Sequence, residues 1–286
     1  MNGEQPACLA VIGHPVAHSA SPQMHQAALD SLGINMRYVR LDIETNQVAE
    51  AFSRMRALGF VGCNVTVPHK FEAMSACDEV HPEATLLGAV NTIRFDEAVT
   101  RGFNTDGPGF ESAIQDDFQV SLSSRKVGIL GAGGGAGGAI AMQSVIAGVE
   151  HLLLVNRTVE KLDPLIQRLR RLKPELQITA ISFEDPSLAP HCLDCDLLVN
   201  TSSVGLKIED RSILPPHCLK REHLIYDAIY QPMVTPLLSD ANALGCRTAN
   251  GLSMLIHQGA LAFQQWFPES APLDVMQAAM IHFTRG

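Results

Sequence analysis

The chain has 286 residues, of which 46% are hydrophobic and 18% charged, and carries a formal net charge of −9; that length favours two folded domains, and the acidic balance speaks against a nucleic-acid surface. No apolar stretch reaches the length of a membrane span, and Met1 to Pro6 lacks the charged-then-apolar pattern of a secretion signal, so a cytoplasmic protein is expected. Seven cysteines without a framework suit reduced thiols. In chain order, Cys8 to Ile12 is an apolar run bounded by Gly13 and Pro15, which predicts a buried strand. Ser21-Pro22 predicts a helix start, with Ser21 as the cap, and Gly33 its end. Arg37 to Ile43 reads as a strand, Gln47 to Leu58 as a helix stopped by Gly59, Cys63 to Val67 as a strand closed by Pro68, and Ala89 to Phe95 as another strand. Asp106 to Asp117 reads as a connecting helix. Strands then follow at Lys126–Leu130, His151–Val155, Ile178–Phe183, Asp196–Asn200 and Leu224–Asp227, with a sixth near Arg247. Helices at Gly251–Trp266 and Leu273–Thr284 complete the chain. Strands alternating with helices imply α/β units with mainly parallel sheets.

The run Lys126 to Leu130 breaks into Gly131-x-Gly133-x-x-Ala136, which fits a dinucleotide-binding turn followed by an Ala-rich helix from Gly138. The first glycine allows the turn and the second lets a pyrophosphate approach the backbone, while the small Ala136 lets helix and strand pack closely. The further pair Gly137-Gly138 loosens the helix start. An NAD site ordinarily ends the next strand with an acid for the ribose 2′-hydroxyl. Here Val155 is followed by Asn156-Arg157-Thr158, and a guanidinium with a hydroxyl suits a 2′-phosphate. The cofactor is therefore read as NADP.

Four further segments place polar groups where loops leave strands. Ser19 and Ser21 flank one residue at a helix N-terminus, a setting for an anion such as a carboxylate. In Gly62-Cys-Asn64-Val-Thr66-Val-Pro68-His-Lys70, Asn64 and Thr66 share one face of a strand, with Lys70 just beyond. Gly88-Ala-Val-Asn91-Thr92 and Asn104-Thr105-Asp106-Gly107 are the other two, and Asp106 has the alternative task of capping its helix. His191-Cys192-x-x-Cys195 and His217-Cys218 resemble zinc spacing. No second Cys-x-x-Cys follows, and Cys195 leads into a strand, so no metal is expected. The basic run Arg168 to Lys173 reads as a solvated helix face.

These four segments, with the glycine turn, Asn156-Arg-Thr158, Asn200-Thr-Ser-Ser-Val-Gly205, Tyr226-Asp-x-x-Tyr230 and Gly251-Leu-Ser-Met254-x-x-x-Gln258, stand in one order along almost the whole chain. The set resembles the shikimate dehydrogenase family. The resemblance implies NADP-dependent interconversion of 3-dehydroshikimate and shikimate, in aromatic amino acid biosynthesis. It implies two domains: an N-terminal α/β substrate domain of residues 1–107 plus 252–286, onto which the C-terminal helices pack back, and a Rossmann-like NADP-binding domain of residues 108–251. By the same resemblance Ser19 and Ser21 bind the substrate carboxylate. Asn64, Thr66, Asn91 and Gln258, helped by Tyr230, hold ring hydroxyls, and Lys70 and Asp106 form the catalytic pair. Gly131, Gly133, Gly134, Gly135 and Ala136 cradle the pyrophosphate, and Asn156, Arg157, Thr158 and Lys161 take the adenosine phosphate. Thr201, Ser202, Ala228, Gly251 and Met254 fall to the nicotinamide side; Thr201-Ser-Ser-Val-Gly205 is a variant of the family's loop.

Two other readings compete. A quinate/shikimate dehydrogenase relative shares Lys70 and Asp106 but has a looser choice of cofactor, against which Asn156-Arg157-Thr158 speaks. A regulatory NADP-binding protein without turnover has no need of Lys70 and Asp106. The expected partner is the small substrate, with no nucleic acid and no membrane; a homodimer stays open.

Overall fold

Apolar runs ended by turn residues become strands throughout, and the order in which they pair decides where their loops meet. The computed structural model describes residues 7–207, 209–268 and 271–285, so Met1 to Pro6 lies outside the described residues. In chain order the elements are β1 (Ala7–Gly13), α1 (Ser21–Ser31), β2 (Arg37–Asp42), α2 (Val48–Ala57), β3 (Gly62–Val65), α3 (Lys70–Ala76), β4 (Glu79–Val80), α4 (Pro82–Leu87), β5 (Thr92–Asp96), β6 (Val99–Phe103) and α5 (Asp106–Phe118). There follow β7 (Lys126–Leu130), α6 (Gly135–Ile146), β8 (His151–Val155), α7 (Asp163–Leu172), β9 (Gln177–Ile181), α8 (Leu188–Asp194), β10 (Leu197–Asn200), β11 (Leu224–Asp227), α9 (Pro236–Ala243), β12 (Arg247–Asn250), α10 (Leu252–Trp266) and α11 (Leu273–Arg285). The chain forms two compact units, Met1–Gly109 with Ile256–Gly286, and Phe110–Leu255.

The first unit holds a six-stranded sheet in the order β2-β1-β3-β5-β6-β4. The pairs β1·β2, β1·β3 and β4·β6 are parallel, while β3·β5 and β5·β6 are antiparallel. Ile12, Phe52, Val65, Val90 and Ile93 lie in its core. The C-terminal helices pack back on this sheet: α11 lies along α1, and Trp266 Nε1 donates to the Ile93 carbonyl at 2.8 Å. At the sheet's edge, Gln26 of α1 latches β2. Its Oε1 accepts the Tyr38 amide at 3.0 Å and its Nε2 donates to the Met36 carbonyl at 3.1 Å.

The second unit is an all-parallel sheet in the order β12-β11-β10-β7-β8-β9. Read from the other edge, with β7 as the first strand, this is the doubly wound dinucleotide-binding order, whose direction of winding reverses between β7 and β10. Leu153, Val155, Leu198 and Ile225 are fully or almost fully buried in its core. Cys192, Cys195 and Cys218, whose spacing resembles zinc ligation, belong to that apolar core, and burial pushes the Cys195 thiol up to about 12. Among the described residues no three potential ligands converge to hold a metal, and no helix is long and apolar enough to cross a membrane.

The structure corrects several local expectations. Ser21 is the first helical residue rather than the cap, which falls on Ala20; the Ser21 amide is taken instead by Ser19 Oγ at 3.3 Å. The strand expected from Ala89 begins only at Thr92, because Val90 and Asn91 give their amides to the Lys70 and Phe103 carbonyls. β4 and β6 are not legible as strands, since β4 has only two residues and β6 is broken by Thr100, Arg101 and Gly102 at its centre. Helix α6 starts at Gly135, three residues before Gly138.

Candidate active site

In the first unit the winding direction also reverses, because β2 and β3 lie on opposite sides of β1. Ligands of open α/β sheets bind at such a point, beyond the carboxyl ends of the strands. The loop after β1 carries Ser19 and leads to Ser21 at the head of α1, and the loop after β3 carries Thr66 and leads to Lys70 at the head of α3. The antiparallel pairs bring the remaining motifs to the same edge. Register places Asn64 opposite Thr92, and Thr92 opposite Phe103, so Asn91 precedes β5 and Asn104–Asp106 follows β6 beside the end of β3.

These residues form a connected polar cluster. Lys70 Nζ donates to Asp106 Oδ2 at 2.7 Å, with side chains 19% and 12% exposed. Lys70 opens α3, where helix-end amides disfavour a cation, and the Asp106 carboxylate supplies the compensating charge. Helix capping does not consume Asp106: Asn104 Oδ1 accepts the Asp106 and Gly107 amides at 3.0 and 3.4 Å. Asn104 Nδ2 donates to the Ala89 carbonyl at 2.9 Å, tying the two loops. Asn91 Oδ1 accepts the Thr105 amide at 2.8 Å and the Thr92 hydroxyl at 3.1 Å, while its Nδ2 donates to Thr105 Oγ1 at 3.0 Å and Gln258 Oε1 at 3.5 Å. Gln258 is set on α10 where that helix approaches Gly109 so closely that a Cβ on Gly109 would lie 2.7 Å from the Gln258 Cβ. Asn64 Oδ1 accepts the Tyr38 hydroxyl at 2.6 Å, and its Nδ2 donates to Thr92 Oγ1 at 3.3 Å and the Asn91 carbonyl at 3.4 Å. Ser19 Oγ donates to Ser21 Oγ at 3.2 Å, and Thr66 is half-buried with its methyl beside Gly13.

Tyr38, Thr92, Asn104 and Thr105 complete this cluster. The signal for the last three lay in the motifs that contain them. Tyr38 reads as an ordinary strand aromatic, so only the fold reveals it.

In the second unit the loops after β7, β8 and β10 line a depression of about 630 Å³. Gly131, Gly133, Gly134, Asn156, Arg157, Thr158, Lys161, Thr201 and Ser202 all face it, with Phe183, Ile213 and the acidic Glu184. Gly131 adopts φ +85°, the left-handed region that glycine tolerates. The Gly133 amide donates to Asn156 Oδ1 at 3.3 Å, linking the glycine turn to the end of β8. The close-packing role expected of Ala136 belongs to Gly137: a Cβ there would lie 2.8 Å from Ala132 Cα, the Gly131 carbonyl and Thr201 Oγ1. Ala136 is half-buried, Gly135 is exposed with open space around it, and Gly137 secures the helix start rather than loosening it.

Gly135, Ala136, Ala228, Gly251 and Met254 lie outside that lining. Ala228 and Gly251 meet each other, since any side chain on Gly251 would strike the Ala228 carbonyl, and the Gly251 amide donates to the Ile229 carbonyl at 3.1 Å. Met254 lies in the first turn of α10, whose start is capped by Asn250 Oδ1 accepting the Leu252 amide at 3.0 Å. Tyr230 is half-buried on the loop after β11, and burial pushes its hydroxyl up. Two buried residues shape these loops. Asp227 accepts Asn200 Nδ2 at 3.0 Å, the Ile229 amide at 3.0 Å and Thr235 Oγ1 at 2.7 Å, and burial raises its carboxyl above the usual range. Asn200 Oδ1 in turn accepts the Ser202 amide and hydroxyl at 3.0 and 2.8 Å. A left-handed turn at a helix N-terminus, with two cations beyond it and no acid ending β8, is a donor set that fits a dinucleotide bearing an extra phosphate.

Comparison with known proteins points the same way. A family model of the shikimate dehydrogenase substrate binding domain matches residues 11–93, and one of the shikimate 5′-dehydrogenase C-terminal domain matches residues 251–281. A shikimate dehydrogenase (NADP⁺) of Methanopyrus kandleri is 37% identical over 277 residues, covering 96% of this chain and 95% of the relative. A shikimate dehydrogenase crystallised with NADP⁺ superposes with a TM-score of 0.90 at 33% identity, covering 99% of this chain and 98% of that one. The Thermus thermophilus shikimate 5-dehydrogenase, solved with NADP(H) and shikimate, gives 0.83 at 35% identity over 96% of this chain and 98% of its own.

Proposed function

The chain belongs to the shikimate dehydrogenase family, and from that premise we propose that it catalyses the NADP-dependent reduction of 3-dehydroshikimate to shikimate and the reverse oxidation. The observation that carries this reading is the Lys70–Asp106 pair, 2.7 Å apart at the rim of a buried polar cluster. NADP(H), when bound, supplies or accepts the hydride. The chain's part is to place the substrate and to handle one proton. Reducing a ketone leaves charge on its oxygen, and the Lys70 ammonium is the donor that neutralises it; in the reverse direction the Lys70 amine takes the proton back. Asp106 holds the Lys70 side chain in place and accepts from a ring hydroxyl. Ser19 and Ser21 offer two hydroxyls to the substrate carboxylate, and Asn64, Thr66, Asn91 and Gln258 offer amide and hydroxyl groups to the ring hydroxyls. Arg157 and Lys161 attract the 2′-phosphate, and the Gly131–Gly134 turn presents amides to the pyrophosphate.

The test is a matrix of shikimate and quinate, each with NADP and NAD, read as kcat/KM. Shikimate with NADP should exceed every other pair. Equal rates with NAD would return the relaxed quinate/shikimate reading, and no turnover with any pair would leave an NADP-binding protein without this chemistry.

A further inference from the structure

Tyr38 lies on β2, buried, beside the polar cluster described above. Its hydroxyl donates to Asn64 Oδ1 at 2.6 Å, the shortest bond that Asn64 makes; the two from Asn64 Nδ2 measure 3.3 and 3.4 Å. The ring has little freedom to do anything else. His25 stacks on it at 4.5 Å with planes 7° apart, and Trp266 closes the side at 6.3 Å.

We propose that Tyr38 is a positioning residue of the substrate site, which holds the Asn64 amide with Oδ1 turned inward and Nδ2 presented to a ring hydroxyl. The proposal rests on the shikimate reading above. An asparagine amide has nearly equal ends in shape, and a flip exchanges a donor for an acceptor. The short bond from Tyr38 decides which end faces the ligand, and the long bonds of Nδ2 are the ones a ligand oxygen can replace cheaply. Asn64 is thereby set by a group whose own place, fixed by the His25 stack, does not depend on the ligand.

The experiment is Tyr38→Phe, which keeps the stack on His25 and deletes only the oxygen. Leaving a buried acceptor without its donor should raise KM for shikimate roughly tenfold. KM for NADP should stay within about twofold and kcat within about threefold, the split expected of a group that acts on substrate placement. A melting temperature near that of the parent chain checks the fold. The decisive arm repeats the substitution in an Asn64→Ala background, with shikimate affinity read from the fluorescence of Trp266, the chain's single tryptophan. Tyr38→Phe should add nothing there, because its partner is gone. An unchanged KM for shikimate, an equal rise in both backgrounds, or a matching loss for NADP overturns the proposal. A parent chain that neither binds nor oxidises shikimate overturns the functional reading itself, and this one with it; a parent chain that does both separates the two failures.

Discussion

At the scale of single residues, the site is made by polar groups that hold one another before any ligand arrives. In the proposed reaction Lys70 and Asp106 are the pair on which turnover depends. Lys70→Ala should lower kcat by roughly 10²–10⁴-fold with a smaller change in KM, as expected when a proton donor is lost; steady-state kinetics with shikimate and NADP check it, and a near-normal kcat removes Lys70 from the chemistry. His25 makes a different prediction. It is fully buried among Tyr38, Phe263 and Trp266, and burial pushes it down to about 3, with Asn64 offsetting part of that. An unfolded histidine titrates near 6.5, so between about pH 6.5 and 3 the unfolded chain binds one more proton than the folded one. Stability is then lost as pH falls through that window, by about 1.4 kcal/mol per pH unit from this residue alone where its unfolded form is fully charged. Urea titrations followed by Trp266 fluorescence between pH 7 and 4 should show that slope, and His25→Phe should flatten it. A variant with the parent's slope would place the acid sensitivity elsewhere.

At the scale of elements, glycine positions along one turn separate cleanly. Gly137→Ala puts a methyl against Ala132, the Gly131 carbonyl and Thr201 Oγ1, two of which are backbone, and should destabilise the second unit by roughly 1–3 kcal/mol. It should also raise KM for NADP. Gly138→Ala meets open space inside a helix and should stabilise by roughly 0.5–1 kcal/mol with KM unchanged. Urea midpoints and NADP kinetics compare the two, and effects of the same sign would contradict the packing described. The same turn shows what the residues alone could say. Lys126–Leu130, His151–Val155 and Leu224–Asp227 were legible to the residue, because continuous apolar runs ended by turn residues leave little choice. The task of Gly137 is not legible in the residues, because it depends on how close the strand-to-loop backbone comes, which no spacing shows. β6 was hidden, because Arg94, Arg101 and Asp96 pair across a hairpin and give its strand a polar face. Asn64 and Asn91 were legible, since an amide in or beside a buried strand demands a reason. Tyr38 and Asp227 were not, since an aromatic in a strand and an acid at its end need none.

At the scale of the whole molecule, two sheets of different construction each reverse their winding at the strand that opens them, and each gathers its polar loops there. Ligands should therefore be legible one at a time in hydrogen exchange. NADP should slow exchange in residues 131–137, 156–161 and 201–204, and shikimate in residues 64–70, 91–92 and 104–106. Mass spectrometry of peptides resolves these segments, and protection by shikimate that avoids the first unit would contradict the placement of its site.

The latch of Gln26 on β2 matters beyond the two bonds it makes. β2 is the last strand of its sheet, and a terminal strand offers its outer amides and carbonyls to any chain that comes alongside. Gln26 spends both ends of its amide on that rim, taking the Tyr38 N–H and giving to the Met36 carbonyl, while Arg37 and Arg40 put charge beside it. A side chain from the neighbouring helix thus takes the first free amide of the edge and the carbonyl just before it, the groups with which an approaching strand would begin to pair.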